Sequence, residues 1–286
     1  MSRNPFDAGP GEISWCPGCG NFSILDTLKE ALAGVGLRPE QLVVVSGIGQ
    51  AGKTPHYMKC NVFNGLHGRA IPLATGVKAA NPSLTVIAEG GDGDMYGEGG
   101  NHFIHAVRRN PDITCIVHNN MVYGLTKGQA SPTSPTGFVT PLQVHGVTQE
   151  PFNPLAVAIC LNAPFVARAF AGDRKGTAAV IRAAIGHRGF ALVDILQPCV
   201  TFNKVNTWQW FQERVERVPD SHDPADRMKA LELALGTERL PTGVLYATTS
   251  RRTFEESLPP YETSEEPLRG REVDRRELTA LIESLR

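Results

Sequence analysis

The stretch from Gly91 to Asn120 decides the fold. It reads Gly91-Asp92-Gly93-Asp94, then a helix-like segment, then the apolar run Ile113-Thr114-Cys115-Ile116-Val117 ending in Asn119-Asn120. A second apolar run, Leu84-Thr85-Val86-Ile87-Ala88, leads into it, so acidic groups and amide groups each sit just past a predicted strand end. Asp92 and Asn120 are 28 positions apart, the right length for one strand–helix–strand step. Such a step makes the two strand ends neighbours at the carboxyl edge of a parallel sheet, where α/β folds place their ligands. The side chains on offer are hard oxygen donors, and the glycines allow a phosphate close to the backbone. A bare Gly-Asp-Gly is most often a simple turn. The spacing to Asn120 is what points beyond a turn, to a Mg²⁺-diphosphate site. Asp92 and Asn120 would supply side-chain oxygens, and Val122 is the natural carbonyl donor because its apolar side chain can pack inward.

The rest of the chain fits one α/β body. With 286 residues, 41% hydrophobic content and a formal net charge of −1, it is long enough to bury a sizeable core and carries no basic surplus for nucleic acid. No apolar run approaches the ~18 residues of a membrane span, and Met1-Ser2-Arg3-Asn4-Pro5 lacks a signal-peptide core. The expected location is cytoplasmic. There, the six cysteines suit metal binding, catalysis or burial rather than disulfides.

Residues 1–20 read as an arm carrying Trp15-Cys16-Pro17-Gly18-Cys19-Gly20. Ser23 is placed to cap a helix whose apolar positions Ile24, Leu28, Ala31, Leu32 and Val35 share a face, ended by Gly34 and Gly36. A strand over 42–46, a helix over 68–78, the strand 84–88 and a crossover helix over 101–109 follow. After strand 113–117 comes the long loop Met121–Thr133, then helix 153–161, strand 165–169, helix 176–187 and strand 190–196. The alternation predicts a doubly wound, mostly parallel sheet over residues 21–200. A C-terminal extension, 201–286, is expected to lie on this body or on a partner. In it Trp208-Gln209-Trp210-Phe211 supplies packing aromatics, and 224–235 and 274–285 read as surface helices.

Gly47-Ile48-Gly49-Gln50-Ala51-Gly52-Lys53-Thr54 formally matches the phosphate-binding loop pattern, with Asp194 as a possible second acid. That reading needs a long helix after Lys53-Thr54. Pro55 and the stretch to Gly65 show no helical stripe, and the reading leaves Gly91–Asn120 and the cysteines without roles.

Gly-Asp-Gly followed one crossover later by Asn-Asn resembles the signature of thiamine diphosphate enzymes that cleave bonds next to a carbonyl. Cys16-Pro17-Gly18-Cys19-Gly20, Ser46-Gly47-Ile48-Gly49, Leu66-His67-Gly68-Arg69 and Tyr123-Gly124-Leu125-Thr126-Lys127-Gly128-Gln129-Ala130-Ser131-Pro132-Thr133 narrow it. Together they resemble the β subunit of 2-oxoacid:ferredoxin oxidoreductases, of the 2-oxoglutarate type, over about residues 12–205. The resemblance implies the thiamine diphosphate-binding fold. It implies CoA-dependent oxidative decarboxylation of a 2-oxoacid, or its reverse, with electrons leaving singly through an iron–sulfur cluster to ferredoxin. It also implies that Asp92, Asn120 and Val122 bind Mg²⁺. Ile48, Gly49, Gln50, His67, Gly91, Gly93, Asp94, Asn120, Tyr123, Gly124, Leu125 and Thr126 would hold the cofactor. Lys53, His67 and Lys127 would stand near the substrate carboxylate or coenzyme A.

A [4Fe–4S] cluster needs four thiolates. Cys16 and Cys19 form a chelating pair, and Cys199 follows a strand at the same sheet edge. Relatives in the resembled family carry a further cysteine after Gly-Ile-Gly, where this chain has Gln50, so Cys60 is the expected substitute. Cys115 and Cys160 read as small buried hydrophobes. A Cys₄ zinc site remains the alternative, because Cys-x-x-Cys alone does not separate the metals. One α/β body leaves no room for the second domain that thiamine enzymes use. The resemblance therefore implies a separate α subunit, in an αβ or (αβ)₂ assembly.

Overall fold

The computed structural model describes residues 4–236, 238–264 and 266–286. Its strands are β1 (Leu42–Ser46), β2 (Asn61–Asn64), β3 (Thr85–Gly91), β4 (Thr114–Asn119), β5 (Phe165–Phe170), β6 (Ala191–Leu196), β7 (Val215–Arg217) and β8 (Leu240–Ala247). They form one eight-stranded sheet in the order β2-β1-β3-β4-β6-β5-β8-β7. The pairings from β2 to β5 are parallel, and β8 joins β5 antiparallel. This is the mostly parallel, doubly wound α/β fold that the alternation predicts.

Strand periodicity divides the core in two. Val43, Val45, Val86, Ala88, Cys115 and Val117 face helices α2 (Ala70–Ala80), α3 (Gly100–Arg109) and α4 (Pro154–Cys160). Val44, Ile87, Ile116 and Val193 face α1 (Gly20–Gly34) and α5 (Arg174–Gly186) on the other side. Because both faces are covered, the strands read as continuous apolar runs, each fully buried aliphatic side chain contributing about 1.5–3 kcal/mol.

Four local readings are corrected. The helix α1 starts at Gly20 with Cys19 at its N-cap; Ser23 lies inside it and donates its hydroxyl to Ala171 O at 2.6 Å, tying the helix to the chain beyond β5. Residues 61–64, to which the sequence reading gave no element, form the exposed edge strand β2, pinned by Asn61 Nδ2 to Leu42 O and by Asn64 Nδ2 to Ser46 Oγ. The Gly-Asp-Gly-Asp turn and the loop after it are a π-helical turn, Gly93–Glu98, running straight into α3. Finally, the chain beyond residue 200 enters the sheet. It forms α6 (Trp208–Gln212), β7, α7 (Arg227–Leu235) and β8, and ends in α8 (Arg275–Ser284). β8, to which the sequence reading gave no element, contains Pro241 and Gly243 and sits between β5 and the short β7, with a register shift at Val166/Ala167.

Buried Lys78 at the end of α2 fixes the neighbouring connections, donating to Leu84 O at 2.9 Å and pairing with Asp112 Oδ2 at 2.8 Å. Replacing Lys78 with Ala strands both acceptors. Because Asp112 keeps partial access to water, the expected loss is about 2 kcal/mol, read as a lowered urea midpoint with an unchanged m-value.

Candidate functional site

The order β2-β1-β3 places the change of winding direction between β1 and β3, the position at which open α/β sheets bind ligands. Loops leaving the carboxyl ends of β1, β3 and β4 meet there. One cavity is lined by Ile48, Gly49, Gln50, Ala51 and His67, by Gly91 through Asp94, and by Asn120, Val122, Tyr123, Gly124, Leu125 and Thr126. Every residue expected to touch the cofactor or Mg²⁺ is thus brought to one place. Lys53 and Lys127 are not in the lining; Lys127 is exposed at a left-handed loop position, with φ 77°. The space is only about 70 Å³, well below the ~300 Å³ of an ordinary ligand pocket.

At the floor lies Asp92, 1% exposed. Its Oδ2 accepts hydrogen bonds from Ser131 Oγ at 2.5 Å and Thr133 Oγ1 at 2.6 Å. Burial nevertheless pushes its pKa up to about 6, the hydroxyls and the Asn120 backbone opposing the shift and the Asp194 charge adding to it. Asn120 bends the chain by accepting the Val122 N–H on its Oδ1 at 3.1 Å, leaving that carbonyl a second lone pair. The donors gathered here are all oxygens and include one buried carboxylate. That set fits Mg²⁺, and it leaves positions for diphosphate oxygens and water.

Beside it, Asp94 Oδ1 accepts the Ile48 N–H at 3.1 Å and the Gly68 N–H at 2.8 Å. A Cβ at Gly47 would overlap the Asp94 carboxylate, and one at Gly93 would overlap the Tyr123 ring, so both positions require glycine. Burial raises the Asp94 pKa. The His67 ring lies 2.7 Å from Asp94 Oδ1 and 3.5 Å from Glu98 Oε2, off the axis of a hydrogen bond. Tyr123 donates to Glu98 Oε2 at 3.1 Å; burial first, then the Glu98 charge, raises its pKa.

These contacts also answer the phosphate-loop reading. The Ile48 amide that such a loop would offer to phosphate is given to Asp94. Through Gly52 the chain makes a tight seven-residue turn, Ala51–Tyr57, in place of a long helix. Thr54 is fully buried and donates to Ala51 O, so its hydroxyl is not available to a metal. Asp194 lies below the cavity, taking hydrogen bonds from Tyr96 Oη at 2.9 Å and Asn119 Nδ2 at 3.1 Å, with Arg168 Nε at 3.4 Å. Sequence reasoning missed the roles of Glu98, Asn119, Ser131 and Thr133. For the last two the only signal was their place in the loop motif.

The four-thiolate set does not assemble. Cys19 feels both Cys16 and Cys199, and burial pushes its thiol up to about 11. Cys199 Sγ stands against Gly124 of the cavity wall. Cys60 lies elsewhere: it precedes Asn61, which pairs with Val43 at the amino end of β1, and its charged neighbour is Glu89. Cys60 is therefore withdrawn as a cluster ligand, which leaves Cys16, Cys19 and Cys199 as the thiols that lie near one another. Gln50 lies close to the Cys16 arm, accepting the Trp15 indole N–H on its backbone oxygen at 2.8 Å. Cys115 is buried as expected, whereas Cys160 is exposed at the end of α4. Among the described residues no three His, Cys, Asp or Glu side chains are grouped to hold a metal ion, which leaves the Cys₄ zinc reading without its ligands.

Comparison with known proteins agrees with this geometry. The family described as thiamine pyrophosphate enzyme, C-terminal TPP binding domain, matches residues 44–195. A second family, the C-terminal part of the pyruvate ferredoxin oxidoreductase beta chain, matches residues 199–263. Subunit beta of 2-oxoacid:ferredoxin oxidoreductase 2 from Aeropyrum pernix is 44% identical over 258 residues, covering 86% of this chain and 84% of the relative. The 2-oxoglutarate oxidoreductase subunit KorB of Mycobacterium tuberculosis is 49% identical over 192 residues, 67% of this chain and 52% of the relative. Among solved structures, 2-oxoglutarate:ferredoxin oxidoreductase from Magnetococcus marinus, with 2-oxoglutarate, coenzyme A and succinyl-CoA bound, superposes with a TM-score of 0.90. It is 38% identical and covers 96% of this chain and 94% of that one.

Between an unfolded pKa of 3.8 and a folded value of about 6, the native chain holds a proton that the unfolded chain has released. The Asp92 charge therefore costs stability as pH rises through that window, by about 3 kcal/mol when fully developed. In metal-free protein at pH 8, Asp92→Asn is expected to unfold at higher urea than the parent, by about 1–3 kcal/mol. The advantage should shrink toward zero as pH falls to about 4. A variant less stable than the parent at pH 8 would contradict this.

Proposed function

Because the chain belongs to the β subunits of the 2-oxoacid:ferredoxin oxidoreductases, we propose that it binds thiamine diphosphate through Mg²⁺ and serves the CoA-dependent oxidative decarboxylation of 2-oxoglutarate. The products are succinyl-CoA and CO₂, with two electrons leaving to ferredoxin; the reverse reductive carboxylation uses the same site. The observation that carries this reading is the set of oxygen donors at the adjacent ends of β3 and β4, beside the winding switch. The substrate assignment is supported by the Mycobacterium relative's name and by the ligands of the Magnetococcus structure.

When bound, the cofactor supplies the carbanion that adds to a keto carbon and stabilises the charge left by CO₂. The chain's own residues grip and orient. The Asp92 carboxylate, the Asn120 side-chain oxygen and the Val122 carbonyl hold Mg²⁺ and through it the diphosphate. Gly49, Gly91, Gly93 and Gly124 admit the phosphates near the backbone, while Ile48 and Leu125 offer exposed apolar contact at the rim. Of the lining residues, His67 alone can carry a positive charge. Held between Asp94 and Glu98, it is the group that would meet a substrate carboxylate. Cys16, Cys19 and Cys199 are proposed as thiolate ligands of an iron–sulfur cluster beside the cofactor.

In domain terms, residues 1–20 and the loop beginning at Cys199 carry the thiols, 21–200 carry the cofactor, and β7 and β8 of the C-terminal segment close the far edge of the sheet. The small open volume supports an α subunit that covers the cofactor and completes the pocket, in an αβ or (αβ)₂ assembly.

The test uses the chain co-purified with its α subunit. Asp92→Ala is expected to abolish thiamine diphosphate binding and 2-oxoglutarate-dependent ferredoxin reduction. Unchanged cofactor affinity in that variant would overturn the reading, and faster turnover of pyruvate than of 2-oxoglutarate would overturn the substrate assignment. In anaerobic preparations Cys19→Ser should lose the broad visible absorption and the bound iron and sulfide, whereas Cys60→Ser should keep all three.

A further inference from the structure

We propose that Ser131 and Thr133 are positioning residues that lock Asp92 for its metal and fix the loop carrying the other two metal donors. The inference rests on the Mg²⁺ reading of Asp92, Asn120 and Val122. Both hydroxyls are buried and converge on the same oxygen, Oδ2, at 2.5 Å and 2.6 Å. Hydrogen bonds this short to a carboxylate are about twice as strong as neutral ones. Two of them on one oxygen set the plane of the carboxylate and leave Oδ1 outside the clamp.

The same residues tie the site together. Thr133 Oγ1 also lies 2.9 Å from Asn119 Oδ1, so one side chain bridges the end of β3 to the end of β4. Those are the two strand ends that deliver Asp92 and Asn120. Asn119 is itself held by Asp194, which Tyr96 and Arg168 secure from below. The bridge is thereby anchored in β6 and β5. A hydroxyl has one proton, so Thr133 shares its proton between Asp92 and Asn119, while Ser131 is the donor committed to the carboxylate.

The loop closes onto this clamp. It leaves at Asn120 and returns at Ser134, where the Ser134 hydroxyl donates to Met121 O at 2.7 Å. Within it the Tyr123 N–H donates to Gln129 O and the Gly128 N–H to Tyr123 O, both at 2.8 Å. The returning limb thus reaches across to Asp92, while the outgoing limb presents Asn120 and Val122 to the cavity. If the hydroxyls are removed, Asp92 turns more freely and the loop base loosens from it. The three metal donors then lose their fixed spacing although none has been changed. Loss of such support around a metal ligand typically weakens metal affinity about 10–100-fold.

The experiment measures Mn²⁺, as a spin-active substitute for Mg²⁺, on the metal-stripped complex with its α subunit in saturating thiamine diphosphate. Free Mn²⁺ is followed by EPR, and thermal unfolding in parallel. Thr133→Val and Ser131→Ala are each expected to weaken Mn²⁺ about 10–100-fold in the folded fraction, and Thr133→Ser to return affinity to within about threefold of the parent. A structural role alone would lower the unfolding temperature and leave affinity intact in the folded fraction, which overturns the proposal. Should Thr133→Val not fold, Ser131→Ala decides by the same readout. Parent-like affinity in both hydroxyl variants, with affinity lost in Asp92→Ala, sinks this proposal alone. Parent-like affinity in Asp92→Ala sinks the Mg²⁺ reading beneath it.

Discussion

A carboxylate held almost entirely out of water governs the carboxyl edge of this sheet. Asp92 must remain ionised to be useful to a cation, and burial works against that ionisation. The surroundings compensate with directed hydrogen bonds: two hydroxyls on one oxygen, backed by Asn119 and, one layer lower, by Asp194 with Arg168 and Tyr96. Such a network tolerates little partial breakage, because each member left without a partner carries its own desolvation cost. The charge without its metal is a local destabilisation, and this is the condition under which binding a divalent cation returns stability to the fold.

The cysteine arm and the cofactor loops are mechanically one unit. Asn203 donates to Asn120 O at 3.2 Å, and Phe202 packs against Gly128, so the segment following Cys199 grips the loop that bears Asn120 and Val122. From the opposite side a fully buried trio connects the start of α1 to the sheet. His118 lies 2.9 Å from Asn21 Oδ1 and 2.8 Å from Glu89 Oε1. Asn21 directly follows the Cys19-Gly20 turn, and His118 and Glu89 stand just before Asn120 and Asp92 in their strands. The start of α1 beside Cys19 and the strand ends leading to Asp92 and Asn120 are therefore tied together by polar contacts within the core.

Much of the fold was legible because the chemistry that encodes it is local and periodic. The two faces of the sheet demand apolar strands, and the runs at 42–46, 84–88, 113–117, 165–169 and 190–196 announced themselves as such, within a few residues of the strands that form. The Gly-Asp-Gly and Asn-Asn pairs were legible because strand ends and crossover length fix their separation. What failed to register had non-local causes. The edge strand β2 is only four residues long, and its two apolar residues, Val62 and Phe63, are both exposed, so it gives no buried-strand pattern; asparagine side chains hold it in place. Strand β8 contains Pro241 and Gly243, and its place is set by pairing with β5.

The sequence by itself determined the class of fold and, through its motifs, the family, and its spacing set Asp92 and Asn120 one strand–helix–strand step apart. Only the tertiary structure decided which thiols can meet. Cys60 and Cys16 are equally cysteine in the sequence, but parallel pairing with β1 puts the former at the amino end of the sheet. Only the tertiary structure, likewise, withdrew Lys53 and Lys127 from the cavity, gave the Ile48 amide to Asp94, and folded Ser131 and Thr133 back onto Asp92. Those contacts join residues about forty positions apart through the closure of a loop, and no periodicity or motif along the chain records where a loop closes.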